Sequence, residues 1–261
     1  MKSHTLSFLS LIAVFTISAC SSEDQKSTAA AKELRVYCAA GLKRPLEELA
    51  GKYEREFGTE IHLQFGGSGT LLATIESTKQ GDLYLPADST YAVKARDKQL
   101  CGEAVPLAVM HPVLAVQQGN PKKIAGWNDL LERRELILGL CHPEAAAIGK
   151  IIRDIAQKHG DWQALDAAKD VSKSTVSELA LDLKAGALDA ALLWDQTVAS
   201  TSGLGSIPCP ELAGESSVVP GTVLVFSKNQ QAATHFLTWI SSPETSAPVF
   251  QKHHFSPVKP H

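Results

Sequence analysis

From Leu34 onward the chain alternates short apolar runs with longer stretches of helical spacing. Leu34-Arg35-Val36-Tyr37-Cys38-Ala39-Ala40 is an apolar strand that stops at Gly41. Behind Pro45, a residue favoured in a first helical turn, Leu46, Leu49, Ala50, Tyr53 and Phe57 recur on one helical face until Gly58 ends the run. Ile61, Leu63 and Phe65 then alternate with polar residues as a second strand. A glycine-rich turn opens a second periodic helix at Leu71, Leu72 and Ile75, and Gly81-Asp82 leads into a third strand, Leu83-Tyr84-Leu85. The order β-α-β-α-β predicts a parallel sheet covered on both faces, with any ligand at the carboxyl ends of the strands.

A second series follows. Pro106 to Gln117 reads as one long strand running from one lobe into another. Ile137 to Leu140 is a strand ending at Cys141-His142-Pro143; helices are expected over roughly 147 to 159 and from Thr175 to Lys184. Ala190 to Leu193 is a buried strand ending at Trp194-Asp195, Val218 to Val225 a returning strand interrupted by Pro220-Gly221, and 232–240 and 246–251 closing helices. The pattern predicts an α/β fold of two lobes joined by two crossings, with a cleft between them. Lobe 1 is expected to hold residues 33–110 and 206–261, and lobe 2 residues 111–205. Trp127, Trp162 and Trp239 read as packing residues.

The N-terminus changes the picture of where such a domain works. Met1-Lys2-Ser3-His4 precedes a mostly apolar run from Leu6 to Ala19, too short for a membrane-spanning helix and built like a secretory signal. Ile17-Ser18-Ala19-Cys20 also resembles the lipobox of bacterial lipoproteins, which implies cleavage before Cys20 and a lipid on its sulfur; a plain secreted protein cleaved nearby is the alternative. Residues 20–32 are polar and aperiodic, as in a flexible spacer. Charged residues make up 20% of the chain and the net charge is −3, so no global field favours nucleic acid or an anionic membrane, and any anion site must be local. Cys38, Cys101, Cys141 and Cys209 allow three disulfide pairings, or none if they are buried thiols; no pair has CxxC spacing.

Candidate chemistry concentrates at Phe65-Gly66-Gly67-Ser68-Gly69-Thr70. Glycines there allow close backbone approach, the first helical N–H groups lack intrahelical partners, and Ser68 and Thr70 add hydroxyls, which together make an anion cradle. The alternative is an ordinary turn with Ser68 as N-cap. Asp88 and Asp195 follow predicted strands; each either caps the next helix or faces the cleft as a ligand or proton acceptor. Lys43 and Arg44 could raise the potential at the cleft rim or simply face solvent. A serine hydrolase is an alternative of another class, but the nucleophile-elbow pattern fails where Thr70 replaces its last glycine, and no His and acid are convincingly placed. A P-loop is absent, since Gly149-Lys150 continues with Ile151.

With these features in order, the chain from Leu34 to Val258 resembles the periplasmic molybdate-binding proteins of ABC importers. The matching stretches are Val36 to Leu42, Phe65 to Leu71, Gly81 to Asp88, His142-Pro143-Glu144 with Ala147-Ile148-Gly149, and Leu192 to Asp195. The resemblance implies the two-lobed type II solute-binding fold, no catalysis, no cofactor beyond the ligand, and a tetrahedral dianion held by neutral donors. By position it implies a site of Gly41, Ser68, Gly69, Ile148, Val176 and Trp194, with Ala40, Gly67, Thr70, Asp88 and Asp195 as further candidates. Gly41 stands where the family usually has serine, and Trp194 where it has tyrosine. Molybdate and tungstate suit a site without an acceptor because they carry no proton near neutral pH. The implied partners are an ABC permease and, through Cys20, a bacterial membrane, with the protein itself a monomer. A ferric-ion binder of the same fold is the nearer rival, but it needs phenolates, and Tyr37, Tyr53, Tyr84 and Tyr91 include no adjacent pair. A module reporting to a sensor instead of a permease is also compatible.

Overall fold

The computed structural model describes residues 33–258; the leader, Cys20 and the spacer lie outside the described residues. The first series is β1 (Glu33–Ala39), a 3-10 turn (Ala40–Leu42) running into α1 (Lys43–Phe57), β2 (Glu60–Gly66), α2 (Ser68–Thr78), β3 (Leu83–Leu85), α3 (Ser89–Asp97) and β4 (Cys101–Met110). The second is β5 (Pro112–Gln117), α4 (Trp127–Glu132), β6 (Leu138–Cys141), α5 (Ala147–His159), α6 (Trp162–Ala168), β7 (Lys169–Lys173), α7 (Val176–Lys184), β8 (Ala190–Trp194), α8 (Asp195–Ala199) and β9 (Leu204–Ile207). The chain then returns through β10 (Ser217–Leu224), α9 (Gln230–Ser241) and α10 (Pro243–Lys252).

Two five-stranded sheets result, in the orders β2-β1-β3-β10-β4 and β7-β6-β8-β5-β9. β1 pairs in parallel with both β2 and β3, as the β-α-β-α-β rhythm requires, and the returning β10 is antiparallel to β3 and β4. β2 is an edge strand and shows it: Glu60, His62 and Gln64 face solvent while Ile61, Leu63 and Phe65 turn inward. Gly58 ends α1 in the left-handed region at φ 69°, with its N–H on the Glu54 carbonyl. Apolar burial is continuous within each lobe, from Leu34 and Leu46 in the first to Ile152 and Leu192 in the second.

The stretch Pro106 to Gln117 is two strands, not one. β4 belongs to the first sheet and β5 to the second, and the chain passes between them at His111. Asp195 grips that junction. Its N–H donates to the His111 carbonyl (2.9 Å), its Oδ1 accepts from the His111 N–H (3.1 Å), and its Oδ2 lies 3.0 Å from His111 Nδ1. Asp195 Oδ1 also accepts from Gln196 N–H, so both readings of this residue as cap or ligand meet a third: it ties α8 to the crossing. Cys38, Cys101, Cys141 and Cys209 are unpaired thiols, the first three buried, and burial holds Cys38 and Cys141 well above the usual thiol range.

Candidate functional site

Six strand ends meet in the cleft. Ala39 ends β1 and Ala40 and Gly41 follow it, Gly66 ends β2 and Gly67 and Ser68 follow it, and Ala87 comes after β3; from the other lobe come Ala146, Ala147 and Ile148 after β6, Thr175 and Val176 after β7, and Trp194 at the end of β8. They enclose a cavity of about 20 Å³. One water needs roughly 10–15 Å³ in the same measure, so the space suits a single compact guest and no sugar-sized one. No charged side chain lines it among the described residues. Most of its polarity comes from backbone: α5 and α7 both present their first turns, where N–H groups have no helical partner and the helix dipole is positive.

The donors can be named. Ile148 is the second residue of α5 and Val176 the first of α7, and neither N–H, nor that of Gly41, meets an acceptor elsewhere among the described residues. Thr175 caps α7, accepting from the Glu178 N–H at 3.3 Å, which leaves Val176 pointing its N–H outward from the turn. Ser68 is buried, and its Oγ accepts from the Ala87 N–H at 3.0 Å, so its own proton is free to be given. The N-cap of α2 is Gly67, so the Ser68 hydroxyl is not spent on the helix end.

A second layer fixes Ser68. The Tyr84 phenol donates to the Ser68 carbonyl at 2.7 Å, and burial pushes that phenol well above its ordinary pKa, keeping it a donor. Ser217 on β10 donates to the Ala87 carbonyl (2.7 Å) and to Asp88 Oδ2 (3.0 Å). Asp88 Oδ1 accepts from Thr90 N–H at 3.0 Å, so this carboxylate caps α3 and braces the loop that holds Ser68.

Trp194 is buried, and its indole N–H has no acceptor among the described residues. It still touches open space, since among the described residues the one side-chain polar atom both sealed off and unpaired is Thr197 Oγ1. A β-carbon on Gly41 would sit 3.5 Å from Trp194 Cδ1, 3.6 Å from Val176 Cγ2 and 3.2 Å from Gln196 Nε2. The pyrrole edge of the indole therefore faces the side of Gly41 on which a side chain would stand. Gln196 spans the lobes, donating from Nε2 to the Gly41 carbonyl at 3.2 Å.

The remaining expected residues stand nearby without lining the cavity. The Gly69 and Thr70 N–H groups donate across the cleft to the Ala145 carbonyl, at 2.8 and 3.3 Å. Asp88 and Asp195 hold the loops described above. Lys43 and Arg44 are exposed and edge a separate groove of about 360 Å³ that shares Ala40 and Gly41. Gln196, Ala87 and the Glu144-Ala145 carbonyls escaped the sequence reading, because each acts through a contact distant in the chain.

Comparison with known proteins identifies the family. The profile of a family described as bacterial extracellular solute-binding proteins matches residues 34–256. A protein of Haemophilus influenzae named only as a binding protein is 29% identical over 236 residues, spanning 88% of this chain and 93% of that one. The molybdate-binding protein ModA of Escherichia coli is 25% identical over 232 residues, spanning 86% and 89%. The solved periplasmic molybdate-binding protein of Azotobacter vinelandii superimposes with a TM-score of 0.72 at 18% identity, covering 87% of this chain and all of that one. These are binding proteins and not enzymes. Matched over nearly all of its described residues and built on the same two-lobed α/β plan, the chain belongs to the bacterial extracellular solute-binding protein family.

Proposed function

We propose that the protein captures a tetrahedral oxyanion, molybdate or tungstate, by closing its two lobes, and delivers it to the permease of an ABC importer from a lipid anchor on Cys20. The observation that carries the reading is the cavity itself: about 20 Å³, free of charged side chains, and faced by N–H and O–H donors. Donors alone favour an anion with no proton to give, because a protonated phosphate would need an acceptor. Charge-assisted hydrogen bonds contribute roughly 1.5–3 kcal/mol net each, so the Gly41, Ile148, Val176 and Trp194 N–H groups with the Ser68 hydroxyl support tight binding. The E. coli relative's ligand points the same way.

The rival readings find less support. The hydrogen bond at Ser68 Oγ comes from a backbone N–H and not from an imidazole, which disfavours a nucleophilic serine. Among the described residues no cluster of His, Cys, Asp and Glu could hold iron, and no tyrosine lines the cavity. Thermal unfolding of the protein against molybdate, tungstate, sulfate, phosphate, chromate and ferric citrate tests the proposal. A ligand bound only to the native state adds about 2.7 kcal/mol at a hundredfold excess over its dissociation constant, a shift of several degrees. A shift with molybdate or tungstate and none with phosphate is expected; a shift only with phosphate or iron would overturn the reading.

A further inference from the structure

The glycine-rich turn after β2 carries more glycine than its backbone needs. Gly67 sits at φ −71°, ψ 144°, a conformation open to any residue. Gly69 lies in the first turn of α2, where glycine is disfavoured relative to other residues. Neither position requires the left-handed region. What both require is space on the side facing the other lobe. A β-carbon on Gly69 would lie 1.8 Å from the Glu144 carbonyl oxygen, and one on Gly67 would lie 2.4 Å from the carbonyl oxygens of both Ala145 and Ser174. Those are backbone atoms of lobe 2, held by β6, β7 and their following helices, and they cannot swing aside as a long side chain could. Gly66 differs, since a β-carbon there would meet only Leu71 of its own lobe.

We propose that Gly67 and Gly69 are positioning residues for lobe closure: they form a flat backbone surface onto which the Glu144-Ala145 and Ser174 carbonyls dock as the cleft shuts. The inference rests on the solute-capture reading above. The Gly69 and Thr70 N–H groups then latch the Ala145 carbonyl at 2.8 and 3.3 Å. Ala145 stands three residues before Ile148, so the latch sets the first turn of α5, with its open N–H groups, in register with Ser68 across the cavity. Tyr91 adds a further link to the same loop, its hydroxyl donating to the Pro143 carbonyl at 3.3 Å. Closure is thereby coupled to assembly of the donor set: a chain held open by one methyl group keeps each half of the site and loses their convergence.

The test uses the protein carrying G69A or G67A, with G51A as a control that adds a methyl on α1, where only the far end of the Arg55 side chain is near. Anion-free thermal unfolding, the radius of gyration by small-angle X-ray scattering with and without tungstate, and calorimetric titration are measured. G69A and G67A are expected to unfold near the wild-type temperature without anion, to lose the tungstate-induced compaction, and to bind at least tenfold more weakly; G51A is expected to compact and bind as wild type does, with a melting temperature equal or higher because alanine replaces a helical glycine. Compaction and affinity equal to wild type in both cleft variants would overturn the proposal. If G69A does not fold, G67A, with its unstrained extended backbone, decides alone. If the wild type binds none of the anions, the capture reading falls, and the latch is judged on anion-free chains: a larger radius for the cleft variants than for wild type and G51A sustains it, and equal radii overturn it.

Discussion

The turn after β1 and the turn after β2 both present glycine to the second lobe, yet a β-carbon would meet different things in each. At Gly41 it would touch side-chain atoms of Gln196, Trp194 and Val176 at 3.2 to 3.6 Å; at Gly67 and Gly69 it would run into backbone carbonyls at 2.4 and 1.8 Å. Side chains yield by a few tenths of an ångström, whereas a backbone carbonyl in a short connection between strand and helix does not. The hydrogen bonds diverge in the same way. The Gly41 N–H is left open to the cavity, while the Gly69 and Thr70 N–H groups are spent on Ala145. A glycine-rich turn at a helix start is therefore not an anion cradle by composition alone; what stands opposite decides whether its N–H groups serve a ligand or the closing of the protein.

The largest effect that sharpens this contrast, beside the cleft variants above, is expected from the one side chain of the second turn that gives a proton to the cavity. S68A removes that donor and leaves the Ala87 N–H without its acceptor, so tungstate affinity measured by calorimetry should fall roughly ten- to a hundredfold. W194F keeps an aromatic ring and deletes the indole N–H beside Gly41; a loss of about tenfold is expected, with phosphate still rejected. G41A adds a methyl that meets only side-chain atoms, the nearest being Gln196 Nε2 at 3.2 Å, which must give by a few tenths of an ångström; it should weaken binding no more than about threefold, against tenfold or more for G69A, and equal losses in the two would break the comparison.

The smallest effect concerns the helix behind the first turn. Lys252 donates to Glu48 on α1 at 2.8 Å, and with His253 and Lys52 it draws the Glu48 carboxyl down to about 2 against the opposing effect of desolvation. The folded-state value lies below the unfolded one, so this link stabilises above the ordinary carboxylate range and is lost as pH falls from about 4.5 toward 2. Glu48 is half-buried at the surface, where solvent still screens its partners, so its contribution should stay near or under about 1 kcal/mol. E48Q should lower the melting temperature by no more than about 4 °C at neutral pH, and the difference from wild type should vanish near pH 2.

Much of the fold is legible in the chain because its central elements are buried on one face or two. The helix over 147–159 is written in Ile148, Ile152 and Ile155 and closed by Gly160 at φ 81°. The three parallel strands of the first series follow from their apolar runs. The break between β4 and β5 is hidden because the apolar run continues through it, with only His111-Pro112 to mark the change of sheet. β7, Lys169–Lys173, is an edge strand with polar residues on both sides of its one valine, so it has no period to read. The candidate site divides likewise. Its strand-end positions follow from topology and resemblance, but the pairing of Gly41 with Trp194 and Gln196, and of Gly69 with Ala145, joins segments far apart in the chain that only the closed lobes bring together.

The most direct measurement is anomalous diffraction from crystals of the protein grown with tungstate. The account predicts one dominant tungsten peak in the cavity, within hydrogen-bonding reach, through its oxygens, of Ser68 Oγ and the Ile148, Val176 and Trp194 N–H groups, with the Gly69 N–H still on Ala145. A peak in the groove beside Lys43 and Arg44, or an empty cavity with the lobes closed, would contradict it.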